Sequence, residues 1–539
     1  MTVASIPSRA LLGIDAVEVM VEAHLSAGLP GFTLVGFPET AVKESRERVR
    51  SVIINSALEF PDQRVTVNLA PADPPKAGGR YDLAIAVATL VASEQIEGFA
   101  EAIRGIEMLG ELALDGGLRP VPGVVQALLA ARKDGRAIIV PAANREALEI
   151  VDYSLALGLD SLTELTALSI KLKADGATIL AVFNAARAAS QKPQQRDPHK
   201  KSIADESIAD AYVQFNPIRG QARALRALEI AAAGGHNLLM LGPPGSGKTL
   251  LATTLSKLLP PMTRDEVLEV ASIRSAARGQ LALGSAALRP LRAPHHSATM
   301  PSLVGGGADA VPGDITLAHR GVLFLDELTE FKPGVLNALR EPLEAGKITI
   351  SRAKYRVVFP ANFQLVAAMN PCPCGYASDT RRSCRCSKER VSAYLGKVSG
   401  PLIDRFDLII EVPSLSHAEL LSTQTSHTEA EQSAHKESQQ WARRRRTIAD
   451  CRAMQNQRQG ALNSDIKASA LEDACQLTDT KKAMLVKLLE DLKVSARGAH
   501  RILRMARTIA DYDGDTEVGE THFLEAASYR RCAAMEGLL

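Results

Sequence analysis

Short apolar runs recur through the middle of this chain, at Asn237–Leu241, Gly321–Leu325, Phe363–Met369 and Leu408–Val412. Such runs lack the alternation of a half-wetted sheet and predict strands buried on both faces, the mark of a parallel α/β sheet. The first 185 or so residues read differently. Strand-like runs at Val17–His24, Phe32–Val35 and Val65–Leu69 are interleaved with helical patterns at Ala41–Asn55 and Asp82–Ser93, which predicts a separate mixed α/β domain. Residues 187–210 are rich in Gln, Lys, Asp and Ser and contain Pro193 and Pro198, a composition that predicts a solvated linker. Residues 414–460 are polar, with the run Arg443–Arg446, and from Asp465 the pattern is helical. Val494–Asp511 predicts an amphipathic helix with basic residues spread along it. The expected organisation is therefore 1–186 as an N-terminal domain, 187–210 as linker, 211–413 as core, and 414–539 as a basic connector with a helical lid.

Composition narrows the class. At 539 residues the chain has room for about three domains, and its 46% apolar content supplies their cores. The net charge of +2 gives no global field, so any nucleic-acid surface must be local. No run approaches the roughly 18 apolar residues of a membrane span, and the first residues lack the charged start and apolar stretch of a secretory signal. Seven cysteines, four of them clustered, suit a reducing compartment. A cytoplasmic protein is expected.

The strand at Asn237–Leu241 runs into Gly242-Pro243-Pro244-Gly245-Ser246-Gly247-Lys248-Thr249, followed by the helical pattern Leu250–Leu255. Glycines here let backbone N–H groups curl around phosphate, and the helix start adds its positive dipole end. Lys248 can reach the β- and γ-phosphates of ATP, and the Thr249 hydroxyl can hold Mg²⁺. The strand at Gly321–Leu325 ends in Asp326 and Glu327, suited to hold the Mg²⁺ and to polarise the attacking water. The strand at Phe363–Met369 ends in Asn370, whose amide can position that water or contact the γ-phosphate, or which is simply the turn residue before Pro371. Arg405 precedes the strand at Leu408. It reads as a residue that reaches a neighbouring subunit's site, or as a salt-bridged surface side chain. Arg497 reads as a γ-phosphate sensor, with Arg501 one turn on as its competitor.

Together these parts resemble the AAA+ superfamily. The alternating segment Ile348–Phe359 carries Arg352, Lys354 and Arg356 and predicts a hairpin with a basic tip. In the clade of magnesium chelatase and MCM helicases such a hairpin points into the ring channel, where a basic tip would track a phosphate backbone. The ordinary reading is a solvated turn. Further stretches, Arg289–Ser297, Leu303–Gly307, Pro312–Leu328, Leu339–Glu344 and Asn370–Gly375, resemble the magnesium-chelatase-like YifB/ComM family of bacteria, as do Gly13–Ala16 and Leu29–Pro38. The likeness covers essentially the whole chain. It implies a homohexameric ring using ATP and Mg²⁺ to drive a DNA helicase or translocase that promotes branch migration of recombination intermediates during natural transformation. A chelatase-type motor that remodels a protein partner is the alternative. Residues Pro71–Ala86 resemble the peptidase domain of Lon, but the helix opens with Gly79-Arg80-Tyr81-Asp82 and lacks the nucleophilic Ser, so protease activity is not expected.

Cys372, Cys374, Cys384 and Cys386 form two C-x-C pairs nine residues apart. Four thiolates on one short loop predict a closed tetrahedral Zn²⁺ site, against free thiols as the plain alternative. His295 and His296 are adjacent, and neighbours on a strand point to opposite faces, so they make poor joint ligands. A DNA or ring contact and a local turn role stand equal for them. The arginine run at 443–446 reads equally as a DNA patch or a solvated face.

Overall fold

The computed structural model describes residues 3–36, 44–73, 76–96, 105–174, 179–190, 215, 218, 220–277, 287–307, 311–351, 356–379, 381–414, 427–491 and 495–530. The chain forms two compact units, one of residues 1–205 with 263–286, the other of 206–262 with 287–539.

The first unit opens with β1 (Val3–Leu12), β2 (Asp15–Ser26), β3 (Gly31–Val35), α1 (Ser45–Asn55) and β4 (Arg64–Ala70), giving a sheet in the order β1-β2-β4-β3. The β2–β4 pair is antiparallel and β3 joins β4 in parallel. Alternation in β2 buries Val19, Val21, Ala23 and Leu25 on one face. Helix α2 (Asp82–Ala92) is buried at every position, because after Asp82 it is apolar all round but for Thr89, whose hydroxyl donates to the Ile85 carbonyl at 2.8 Å. A second sheet follows, built from β5 (Ile106–Met108), β6 (Ala137–Pro141) and β7 (Ala156–Leu159) in parallel, with α3 (Val124–Asp134) among them. The helix Arg264–Ala276 belongs to this unit although it follows the core's first strand and helix in sequence. Thr263 caps it in a reciprocal box with Glu266, and Gln126 Nε2 of α3 donates to the Ser272 carbonyl at 2.6 Å.

The second unit begins at α4 (Ala222–Gly234) and β8 (Leu238–Leu241), followed by α5 (Lys248–Leu258) and β9 (Leu291–Arg292). Then come β10 (Val322–Leu325), the hairpin β11 (Lys347–Ser351) and β12 (Arg356–Pro360), β13 (Gln364–Met369) and β14 (Leu408–Glu411). Five strands make a wholly parallel sheet in the order β9-β10-β13-β8-β14. All four apolar runs read from the sequence are in it. Among the helices that follow are α6 (His427–Gln459), α7 (Ala496–Asp513) and α8 (Glu520–Ser528). Their apolar side chains, among them Ile448, Ile502, Met505, Ile509 and Phe523, share one core with Met240, Leu255, Phe324, Val366 and Ile410.

Helix α6 departs from the expected polar connector, since it runs unbroken for 33 residues. Its buried anchors Trp441, Ile448 and Cys451 are spaced by seven and three, one narrow stripe on a charged helix, too sparse to dominate a composition reading. The middle of this helix is also where the arginine run resolves in part. Arg444 pairs with Glu229 at 2.7 Å and lies over the Trp441 ring, so it serves the fold. Arg443 and Arg446 are exposed.

Candidate active site

Parallel pairing brings the phosphate-loop candidates together. Leu241, the last residue of β8, faces Met369 of β13, and Leu325 of β10 faces Ala367. The residues that follow each strand therefore leave the sheet at one edge, side by side. The loop Gly242–Thr249 closes onto α5, with Gly247 in the left-handed region at φ 88°. A Cβ on Gly242 would lie 2.3 Å from the Val412 carbonyl oxygen, which only glycine avoids. Lys248 is buried, its Nζ donating to the Gly242 and Pro243 carbonyls at 2.8 and 2.9 Å and to Asn370 Oδ1 at 3.4 Å. Burial pushes this ammonium's pKa down, with Asp326 and Glu327 opposing the shift. Thr249 Oγ1 donates to Asp326 Oδ2 at 2.8 Å, so the two Mg²⁺ candidates touch. Glu327 stands next to them with its backbone N–H on Asp326 Oδ1. Gln221, which the sequence reading passed over, donates to the Ser246 carbonyl at 2.7 Å and props the loop from beneath.

Arg405 and Arg497 lie elsewhere. Both line a pocket of about 310 Å³ with Arg501, Arg504, Asp404 and Asp407. This pocket is at the opposite edge of the sheet. Asn237, the residue before β8, donates its side-chain amide to the Arg405 carbonyl and its backbone N–H to Asp407 Oδ2, both at 3.0 Å. Arg405 is only 7% exposed; it pairs with Glu344 and donates to the Pro401 carbonyl at 2.5 Å. Burial, with Arg340, Arg497 and Arg501 nearby, pushes the Arg405 pKa down from its ordinary value. Arg497 is exposed. Residues 497, 501 and 504 follow the spacing of one helical face, a signal present in the sequence but read only as a choice between two arginines. Arg501 is spent on the buried Asp407 at 2.6 Å. Burial alone would raise the Asp407 pKa. His236, 3.6 Å away, together with Arg501 and the Asn237 N–H, outweighs burial and holds the carboxyl well below the ordinary carboxylate range. His236 continues through Nε2 to Thr508 of α7 at 2.8 Å.

The four clustered cysteines converge, with all sulfurs within 4.8 Å of one another, the only such group of potential metal ligands among the described residues. Sγ–Sγ separations of 3.3, 3.6 and 3.7 Å among Cys372, Cys374 and Cys384 approach the roughly 3.8 Å edge of a tetrahedron with 2.3 Å metal–sulfur bonds. N–H groups of Arg385 and Tyr376 pull the Cys374 thiol down to about 6, the behaviour of a ready thiolate ligand. Burial pushes the Cys372 thiol up to about 12. The group can bind a metal ion. It also abuts the phosphate loop, since a Cβ on Gly375 would meet Pro244 Cδ at 2.6 Å.

Two other candidates are placed only in part. The segment Ile348–Phe359 is an antiparallel hairpin with Ser351 facing Arg356. Arg356 is exposed there, while Arg352 and Lys354 lie outside the described residues. His295 and His296 lie in the loop after β9, not on a strand, and their rings sit side by side, centroids 4.0 Å apart and planes tilted by 35°, instead of pointing to opposite faces as expected. The first bonds Ser297 and the second approaches Glu327.

Three family profiles match this chain. "Magnesium chelatase, subunit ChlI" covers 214–420, "Subunit ChlI of Mg-chelatase" covers 21–144, and "Magnesium chelatase, subunit ChlI C-terminal" covers 436–530. The chain is 44% identical over 530 residues to competence protein ComM of Haemophilus influenzae, spanning 98% of each chain. It is 42% identical to YifB of Escherichia coli, over 98% of this chain and 97% of that one. This protein belongs to the magnesium-chelatase-like ComM/YifB family. The 38 kDa magnesium-chelatase subunit of Acidiphilium rubrum is 27% identical over 59% of this chain and 89% of its own. The ComM/YifB relatives therefore match from end to end. The shared core is the AAA+ parallel sheet with its helical C-terminal region, and ATP with Mg²⁺ is the cofactor pair this family implies.

Asp407 gives a pH test. Its carboxyl is depressed in the fold, so its contribution is present above about pH 4 and is lost as pH falls toward the folded value. Asp407→Asn strands Arg501 and should cost about 3 kcal/mol at neutral pH. The same variant should show a shallower loss of stability toward acid. Urea melts between pH 3 and 7 read both effects.

Proposed function

We propose that this chain is an ATP hydrolase that assembles as a homohexameric ring and drives DNA translocation or unwinding, promoting branch migration of recombination intermediates during natural transformation. The observation that carries the ring is the separation of the two half-sites. Lys248, Thr249, Asp326, Glu327 and Asn370 meet at the carboxyl edge of the sheet, whereas Arg405 and Arg497 share a pocket at the amino edge. The four residues of β8 alone span about 13 Å at roughly 3.3 Å each. Arg405 and Arg497 can therefore serve a γ-phosphate held at Lys248 only on another copy of the chain.

Each residue then has a task. Lys248 and the loop's N–H groups hold the phosphates of ATP. Thr249 and Asp326 hold Mg²⁺, which neutralises charge on the transferring phosphoryl group. Glu327 takes the proton of the attacking water, and Asn370 orients it. Arg405 and Arg497 meet the developing charge from the adjoining protomer. A helix and sheet edge that move with this cycle would carry the β11–β12 hairpin, with Arg352, Lys354 and Arg356 on the DNA strand. DNA as the partner rests on the full-length similarity to a protein named for competence. Work on single-stranded or branched DNA inside the cell needs no membrane segment, and no described helix is long and apolar enough to cross one.

The N-terminal unit is read as a Lon-like domain without a nucleophile. Its α2 helix opens on Asp82, fully buried, which accepts from Ser45 and from Arg48 Nε at 2.6 Å. An ion pair fills the place where that chemistry needs a free hydroxyl. The four-cysteine loop is read as a structural Zn²⁺ site that stiffens the segment between Asn370 and the phosphate loop. The similarity to a magnesium-chelatase subunit favours a second reading, a motor that remodels a protein partner. Stimulation by DNA separates the two.

On a labelled three- or four-stranded junction the protein should move the branch point with ATP, and Lys248→Ala should not. ATP turnover indifferent to any DNA, with no movement, would leave the protein-remodelling reading. Arg405→Ala and Lys248→Ala proteins should each lack turnover and regain part of it when mixed. Failure to regain any would count against a site shared between subunits. Elemental analysis should find about one zinc per chain, lost after chelation from Cys384→Ser, and metal-free wild type would end the zinc assignment.

A further inference from the structure

The cysteine cluster and the phosphate loop meet at one point. Gly375, in the left-handed region at φ 85°, lies so close to Pro244 that an added Cβ would stand 2.6 Å from Cδ and 3.0 Å from Cγ of that ring. Gly375 follows Cys374 directly, and its N–H closes a turn on the Cys372 carbonyl at 2.9 Å. Two of the four sulfurs therefore belong to the turn that presents Gly375 to Pro244. A second link runs along the chain. Asn370, which accepts from Lys248 Nζ at 3.4 Å, stands two residues before the buried Cys372.

Cys384 and Cys386 come from the far end of the same loop, Cys384 ten residues beyond Cys374, and bring their sulfurs to the first pair. An ion held by all four would clip this loop shut at its base and remove the freedom of the turn at Gly375. The phosphate loop depends on such neighbours. It is held at Ser246 by Gln221, whose amide donates to the Ser246 carbonyl at 2.7 Å, and it rests at Pro244 on Gly375. Backbone N–H groups that must converge on phosphate bind it more tightly when their conformation is set in advance. Ordering the turn at Gly375 therefore lowers the cost of wrapping Gly242–Thr249 around ATP.

We propose that the four-cysteine loop is a regulatory site for the nucleotide: its metal-loaded form holds Pro244 and Asn370 in place and tightens ATP binding, and bound ATP tightens the metal in return. This rests on the readings of the cysteines as a Zn²⁺ site and of Gly242–Thr249 as the ATP site. The reciprocity is required, because two ligands coupled through a shared element change each other's affinity by the same factor. A chain without zinc is then a poor binder of ATP although every residue that touches the nucleotide is intact.

The test measures binding instead of turnover, on the full chain with Mg²⁺ in excess. Zinc is withdrawn with a zinc-selective chelator, and a fluorescent ATP analogue is titrated into loaded and stripped protein. Stripping should weaken the analogue about tenfold, equivalent to about 1.4 kcal/mol, and added Zn²⁺ should restore it. Competition against a colorimetric chelator should find zinc held about tenfold more tightly once a non-hydrolysable ATP analogue is bound. Pro244→Ala, which removes the ring carbons that meet Gly375, should keep its zinc and shrink both effects to less than about twofold. Cys384→Ser should match the stripped wild type and ignore added zinc. Equal or tighter analogue binding in stripped, still folded wild type overturns the coupling, and so does undiminished coupling in Pro244→Ala. Should stripping unfold the chain, the zinc competition decides, and a zinc affinity indifferent to the analogue overturns the proposal. Wild type that carries no zinc, or that binds no analogue when loaded, would instead remove the zinc or the ATP-site reading, each a separate failure.

Discussion

Five strands running the same way decide where chemistry can occur in this protein. A parallel sheet collects every strand's carboxyl end at one edge. The register of β8, β13 and β10 therefore fixes which following residues become neighbours. Lys248 reaches Asn370, and Thr249 reaches Asp326, because Leu241, Met369 and Leu325 end at one level. None of these contacts requires a long loop. The same polarity sends the residues that precede the strands, Asn237 and Asp407 among them, to the far edge.

That far edge is organised by a buried carboxylate. Asp407 accepts from the Asn237 backbone and from Arg501, and His236 stands beside it, bonded in turn to Thr508. Desolvating a charge is expensive unless every lone pair is used, and here the partners come from α7 as well as the strand. The network therefore ties the C-terminal helices to the sheet by polar contacts on top of the shared apolar core. It also aligns Arg497 and Arg405 in one pocket. The two edges joined by these short strands carry the two sets of residues that the proposed ring would bring together across copies.

Local signals carried much of this. The four apolar runs and the glycine loop were plain, because a buried parallel strand and a phosphate loop each need a continuous, short-range pattern. The Ile348–Phe359 alternation likewise marks its hairpin. Helix α6 was not legible as a helix, since its anchors Trp441, Ile448 and Cys451 are thinly spread on a charged surface. The assignment of 263–286 to the first unit was also hidden. Nothing in the Arg264–Ala276 pattern names the surface it will meet, which is set by partners such as Gln126 that lie over a hundred residues away.

The sequence by itself determined the kinds of group present: a phosphate loop, two carboxylates after a strand, an amide after another, four thiols within fifteen residues. These are short-range patterns, and their chemistry follows from residue type and spacing. Only the tertiary structure decided their company. It placed Arg497 with Arg405 instead of with Lys248, set the cysteine loop against Pro244, and brought His296 to Glu327. Each of those relations joins residues from separate strands or helices, and strand order, which no local pattern encodes, is what selects them.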